Sequence, residues 1–157
     1  MCLGEPLRNR LGIAIAGIVY GRYRKLMLSD RWQRVLNFGG QFQRLLWAST
    51  GTKDPSASPT LYADALAAPF TINTMPDATL KAVAERSSIP APMSVDSTTA
   101  RSTLGEFTLS GVEAEVMGDE LQTAGVASFT KSWKELMDVL TQKGAALNRE
   151  SSPASKG

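Results

Sequence analysis

Hydrophobic positions change their period several times along the chain, and each change marks an element. From Arg10 to Leu28, Leu11, Ala14, Ile15, Ile18, Val19 and Leu26 recur at helical spacing, with Arg22, Arg24 and Lys25 near the end, where positive charge suits the helix dipole. Gly12, Gly17 and Gly21 weaken this helix by up to about 1 kcal/mol each relative to alanine, and small residues on one face would let it pack closely. Ser29 is placed to N-cap a second helix, Asp30 to Phe38, with Trp32, Val35 and Leu36 apolar and Gly39-Gly40 at its end. The run Leu45 to Ser49 is too short for a helix and predicts a strand. After a Ser/Pro-rich loop come a helical stretch, Thr60 to Leu66, and a second strand, Phe70 to Asn73. The next helix runs to about Glu85, with Thr74 as N-cap, Asp77 in its first turn and Leu80, Val83 and Ala84 inward.

Strand, helix, strand, helix with short connections is the pattern of a parallel α/β sheet, although two strands are too few for one. A Ser/Pro linker, Ser87 to Ser94, leads to a more helical remainder: Asp96 to Leu104 weakly, Val112 to Thr123, then Ser128 to Gln142. In the last, Phe129, Trp133, Leu136, Met137 and Leu140 form an aromatic-rich stripe that reads as packing rather than a cofactor site.

The most informative stretch is the end of the first strand, where Leu45-Leu46-Trp47-Ala48 gives way to Ser49-Thr50-Gly51-Thr52-Lys53-Asp54-Pro55. Ligands of parallel α/β sheets bind beyond the carboxyl ends of the strands, so hydroxyls, backbone N–H groups and one cation placed there suit an anion, phosphate first. The same residues are equally ordinary turn chemistry. They do not form a nucleotide P-loop, because Thr52 separates Gly51 from Lys53 and no glycine stands five residues before the lysine.

Composition narrows the chemistry. The chain has 157 residues, 43% hydrophobic and 20% charged, enough for one soluble domain with a core. It contains no histidine and one cysteine, Cys2, which excludes zinc sites, Ser-His-Asp or Cys-His catalysis and an internal disulfide. Residues 1–53 carry nine Lys/Arg against two acids, a net of +7, and the remainder a net of −5. The arginines are spread along a helical segment without an RNA-binding signature, which favours a solvated helix face over nucleic acid. No span approaches the roughly 20 apolar residues of a transmembrane helix, and no signal peptide is visible, so a cytoplasmic protein is expected.

Leu46 to Pro55 (LWASTGTKDP), Leu61-Tyr62, Ile72 to Leu80 (INTMPDATL), Gly125-Val126, Phe129 and Trp133 to Leu136 together resemble the C-terminal half of bacterial transaldolases. Leu11 to Tyr23 and Asp30-Arg31-Trp32 resemble the preceding family region more loosely. The resemblance covers about residues 11–142. It implies a (β/α)8 barrel enzyme of the pentose phosphate pathway that moves a dihydroxyacetone unit between sugar phosphates through a lysine Schiff base. Such a barrel needs about 250 residues and eight strands. The expectation is therefore an incomplete TIM barrel: the last two strands, flanking helices and a largely helical C-terminal part. Residues 1–9 form an unmatched segment, 10–143 the barrel part and 144–157 a disordered tail.

By the same resemblance, the Schiff-base lysine, the catalytic acids and other substrate contacts belong to segments before Met1, so no catalytic residue is assigned. Lys53 is assigned to substrate phosphate, with Ser49 and Thr50 as hydrogen-bonding neighbours and Asn73 as a pocket wall. Lys53 is not expected to be the Schiff-base nucleophile, since such a lysine needs its pKa lowered by burial or a neighbouring cation and Asp54 would favour the ammonium. Lys81, Lys131, Lys134 and Lys143 fall on predicted solvent faces. No cofactor or metal is expected. The implied ligands are sugar phosphates of the sedoheptulose 7-phosphate and fructose 6-phosphate class, with no nucleic acid or membrane. A complementary barrel half or self-association would cover the open sheet. The chain is expected to be inactive alone, the alternatives being a non-catalytic binding or interaction module, or a truncated product without a role.

Overall fold

A computed structural model describes residues 7–150. The chain divides into two units, Met1–Gly111 and Val112–Gly157. In the first, the elements run α1 (Leu11–Met27), α2 (Asp30–Asn37), β1 (Leu45–Trp47), α3 (Leu61–Ala65), β2 (Thr71–Asn73), α4 (Asp77–Glu85) and α5 (Thr98–Leu109); the second holds α6 (Ala114–Glu150). The two strands pair in parallel, as their order with an intervening helix requires, in the register Leu45↔Thr71, Leu46↔Ile72, Trp47↔Asn73.

Strand alternation decides what each face of this pair meets. Leu45 and Trp47 point to the helices and join Ala16, Tyr20, Tyr23, Tyr62, Leu66, Ala68 and Met93 in one core. Tyr20 is 1% exposed, and its hydroxyl donates to the Pro69 carbonyl at 3.3 Å. Leu46 and Ile72 point the other way and remain 50% and 41% exposed. Parallel sheets ordinarily have both faces covered, so this face is an unfilled one in the described structure.

Close helix packing uses the glycines. Gly17 approaches Ala100 of α5 so nearly that a Cβ would lie 3.1 Å from the Ala100 Cβ, and one on Gly21 would meet the Val95 carbonyl at 3.0 Å and the Ser97 hydroxyl. Gly12 faces open space. The inward stripe of α1 is accordingly Ala14, Ala16, Gly17, Tyr20 and Met27. Of the positions expected inward, Ala14 is buried and Leu11 and Ile18 are half-buried, whereas Ile15, Val19 and Leu26 are exposed. Apolar residues run round most of α1, so periodicity could not select the face that small residues allow against α5.

Helix ends follow the expected chemistry in α2 but not in α4. The Ser29 hydroxyl accepts from the Trp32 amide at 3.3 Å. Gly39, at φ +87, and Gly40 close the helix with amide bonds to Leu36 and Val35, both 2.9 Å. Thr74, by contrast, does not cap α4; its amide and hydroxyl both donate to the Trp47 carbonyl, at 2.9 and 3.3 Å, extending the strand pairing past Asn73. Pro76 is the N-cap, and Thr79 is the buried residue of α4, with Leu80 55% exposed.

The second unit replaces two predicted helices with one. Residues 124–127, Ala-Gly-Val-Ala, contain no proline, and a single glycine costs a helix too little to break it, so α6 continues for 37 residues. It includes residues 144–150, while 151–157 of the expected tail lie outside the described residues. The stripe read as packing is exposed, with Phe129 81% and Trp133 62% accessible.

Candidate functional site

The turn after β1 is built by the end of the sheet. β1 stops at Trp47, and Ser49 takes φ +58, a left-handed conformation that non-glycine residues adopt only when their surroundings hold them there. This reversal brings Thr50 back over β2. Thr50 is 4% exposed, and its hydroxyl lies 2.5 Å from the Asn73 side-chain carbonyl oxygen and 3.2 Å from the Thr74 carbonyl. Donation to the Asn73 carbonyl oxygen leaves the Asn73 amide NH2 available as a donor.

Gly51 follows because nothing larger fits. A Cβ there would stand 2.9 Å from Cγ of Pro76, so the turn after β1 rests directly on the turn after β2. The segments WASTGTK and NTMP, far apart in sequence, thus meet at the carboxyl ends of adjacent parallel strands, where ligands of such sheets bind.

The next residues are held by Asp54. Asn9 donates to it at 2.6 Å, Arg8 pairs with it at 2.8 Å, and the Ser56 amide and hydroxyl donate at 3.0 and 2.7 Å. The Asn9 hydrogen bond, then those from Ser56 and the Arg8 charge, hold this carboxyl well below the usual carboxylate range. Lys53 is exposed, and among the described residues no carboxylate lies within ion-pair reach of its ammonium. The neighbouring carboxylate that was expected to stabilise the Lys53 ammonium is occupied by Arg8 and Asn9 instead.

Of the four residues singled out from sequence, the structure joins Thr50 and Asn73 directly, sets Ser49 at the start of the same turn, and leaves Lys53 three residues further on. Among the described residues no hydrogen bond or ion pair ties the Lys53 side chain to the other three. The Arg8-Asn9 clamp on Asp54 was not anticipated; its only sequence signal was the Asp-Pro-Ser turn, since its partners lie 45 and 46 residues away. Crevices of about 200, 650 and 360 Å³ lie elsewhere: between α1 and α5 beside Met93, at the end of α2 beside Phe38 and Gly39, and beside Trp32, Gln43 and Arg44 at the amino end of β1. Among the described residues no cluster of acidic or sulfur side chains could hold a metal, and no helix is long and apolar enough to cross a membrane.

A parallel strand pair with helices on one face and a polar turn at its carboxyl end defines a piece of α/β architecture whose chemistry lies in the strand-to-helix turns. Residues 4–140 match the model of the transaldolase/fructose-6-phosphate aldolase family, and the chain belongs to that family. The match begins within the segment 1–9 that sequence reading left unmatched. A transaldolase from Parafrankia sp. (strain EAN1pec) is 40% identical over 140 residues, covering 88% of this chain and 38% of that protein. Transaldolases from Saccharopolyspora erythraea and Thermobifida fusca are 38% and 40% identical over 141 residues, with 89% of this chain and 38% of theirs covered. The family implies a TIM-barrel fold, and the mostly helical chain with its two parallel strands is consistent with part of one. The chain spans about 38% of the length of these relatives.

Proposed function

We propose that this sequence is the carboxyl-terminal part of a transaldolase barrel, supplying its last two strands and one wall of the sugar-phosphate site, and that it performs no transfer by itself. The observation that carries the proposal is the exposed Leu46-Ile72 face of a parallel strand pair, because such a face is a barrel interior when the remaining strands are present. Membership of the transaldolase/fructose-6-phosphate aldolase family supports sugar phosphates as the substrate class, and the reaction read here from the family resemblance is transfer of a dihydroxyacetone unit through a lysine Schiff base.

Within that reaction this stretch binds and orients. Ser49 offers a hydroxyl, the Asn73 amide a donor, and Lys53 a cation on an exposed arm. Together they suit a phosphate at the carboxyl end of the sheet. Thr50, already committed to Asn73 and Thr74, acts by fixing Asn73 rather than by reaching the substrate.

Borohydride reduction of the purified chain with fructose 6-phosphate, read by intact mass, tests the reading. A folded sample is expected to give no lysine adduct, and a specific single adduct would overturn it. Calorimetric titration with the same sugar phosphate checks the site: Lys53→Ala should weaken any binding about tenfold, the scale of one charge-assisted contact. Unchanged affinity would remove Lys53 from the site. The same exposed apolar face also favours a second reading, a non-catalytic module that associates with a complementary barrel half or with itself.

A further inference from the structure

Arg8 and Asn9 close on a carboxylate that has nothing left to offer a ligand. Asp54 Oδ1 accepts from Arg8 Nη2 at 2.9 Å and from the Ser56 amide and hydroxyl at 3.0 and 2.7 Å. Its Oδ2 accepts from Arg8 Nε at 2.8 Å and from Asn9 Nδ2 at 2.6 Å. Five donors thus meet a group with about four lone-pair sites, so Asp54 serves as a fastening and not as an acid, a base or a metal ligand. A lone exposed ion pair would add little, but this one is bidentate and shared with two further residues, and only 12% of the Asp54 side chain is accessible.

The two sides of the fastening differ in rigidity. Leu7 is buried, its carbonyl accepts from the Arg10 amide at 3.2 Å, and Asn9 takes φ +62, so the chain turns directly into α1, which packs on the core through Ala16 and Tyr20. Opposite it lies the turn after β1, which has no regular structure from Ala48 to Asp54. That turn is held at its near end by the Thr50 hydroxyl and by the contact of Gly51 with Pro76, and at its far end by Asp54 alone. Lys53 stands between these two anchors, next to the second. We propose that Arg8 and Asn9 are positioning residues for the phosphate-binding turn, holding Asp54 so that Lys53 is presented to the ligand. The proposal rests on the assignment of Lys53 to phosphate made above. Occupying the Asp54 carboxylate also keeps it from folding back on the neighbouring ammonium and competing with the phosphate. The site is thereby tied to the start of a packed helix and not only to its own loop, which is how a short polar turn acquires a fixed geometry.

Titration of the full chain with fructose 6-phosphate, followed by heteronuclear NMR, tests this while reporting that each variant is folded. Asn9→Gly tolerates the same left-handed backbone and deletes only the amide donor. Arg8→Lys keeps the charge and loses the bidentate fork. Neither changes the net charge, and each should weaken binding by about three- to tenfold through misplacement of Lys53. In a Lys53→Ala background the same substitutions should cost less than about twofold further, because a residue acting through Lys53 has nothing left to position. Equal losses in both backgrounds would overturn the proposal and reduce Arg8 and Asn9 to structural residues. Affinity unchanged by both substitutions, with Lys53→Ala still weakening it, would overturn the proposal and leave the phosphate site standing. No binding by the natural chain, or affinity indifferent to Lys53→Ala, would defeat the phosphate assignment itself and this proposal with it.

Discussion

Thr50 is the residue on which the candidate site turns, because its hydroxyl couples two loops that the sequence separates by more than twenty positions. Thr50→Val keeps the shape and removes the donor, leaving the Thr74 carbonyl and the Asn73 side chain without it in a buried place. The expected loss is about 1–3 kcal/mol of unfolding free energy, read by urea denaturation, with Ser at the same position restoring most of it. Asp54 behaves differently, since its bonds act through pH. Its folded pKa lies below the unfolded one, so its contribution is complete above about pH 4 and is lost as pH falls further. Limited proteolysis at residues 52–59 should therefore accelerate below about pH 4 in the natural chain. In Asp54→Asn the segment should already be cleaved readily at neutral pH and show little further change on acidification. A loop equally resistant in both forms would detach Asp54 from its positioning.

At the level of elements, the glycines of α1 separate two roles that look identical in sequence. Gly12→Ala meets nothing and should stabilise the helix by about 0.5–1 kcal/mol, whereas Gly21→Ala meets the Val95 carbonyl at 3.0 Å and should cost about 1 kcal/mol or more despite its better propensity. Thermal unfolding of the two variants checks the contrast; stabilisation by both would mean that the Val95 to Ser97 segment before α5 can retreat from α1. Much of this layout was legible. Ser29 and Gly39-Gly40 bound α2 as their local chemistry requires, and the Leu45 and Phe70 runs mark the two parallel strands. What was not legible depends on partners distant in the chain. Thr74 has the sequence of a cap and serves the Trp47 carbonyl instead; the inward face of α1 is chosen by α5; and Asp54 finds Arg8 and Asn9. The candidate site stands in the sequence as a turn after a strand that includes Thr50, with Asn73 on the next strand, but their mutual hydrogen bond is a product of strand register that no spacing encodes. The continuity of α6 was hidden for another reason, since a glycine between two periodic runs marks a boundary as often as it is simply tolerated.

Taken as a whole, the chain asks what would cover Leu46 and Ile72. If they line a barrel interior, the matching occupant is the portion of a relative that this chain does not match, roughly three fifths of a protein such as the Thermobifida fusca transaldolase. Refolding the two polypeptides together should then yield a complex in which borohydride and fructose 6-phosphate label a lysine of the added polypeptide and none of this one. Leu46→Lys places an ammonium on the covered face, where it must be desolvated without a partner, and should abolish both complex and labelling. Lys53→Ala should leave the complex intact and raise the sugar-phosphate concentration required for half-maximal labelling by about tenfold. The two substitutions therefore separate assembly from binding. Labelling unaffected by Leu46→Lys would show that the sheet face is not the joining surface, and labelling of this chain alone would return catalysis to its own lysines.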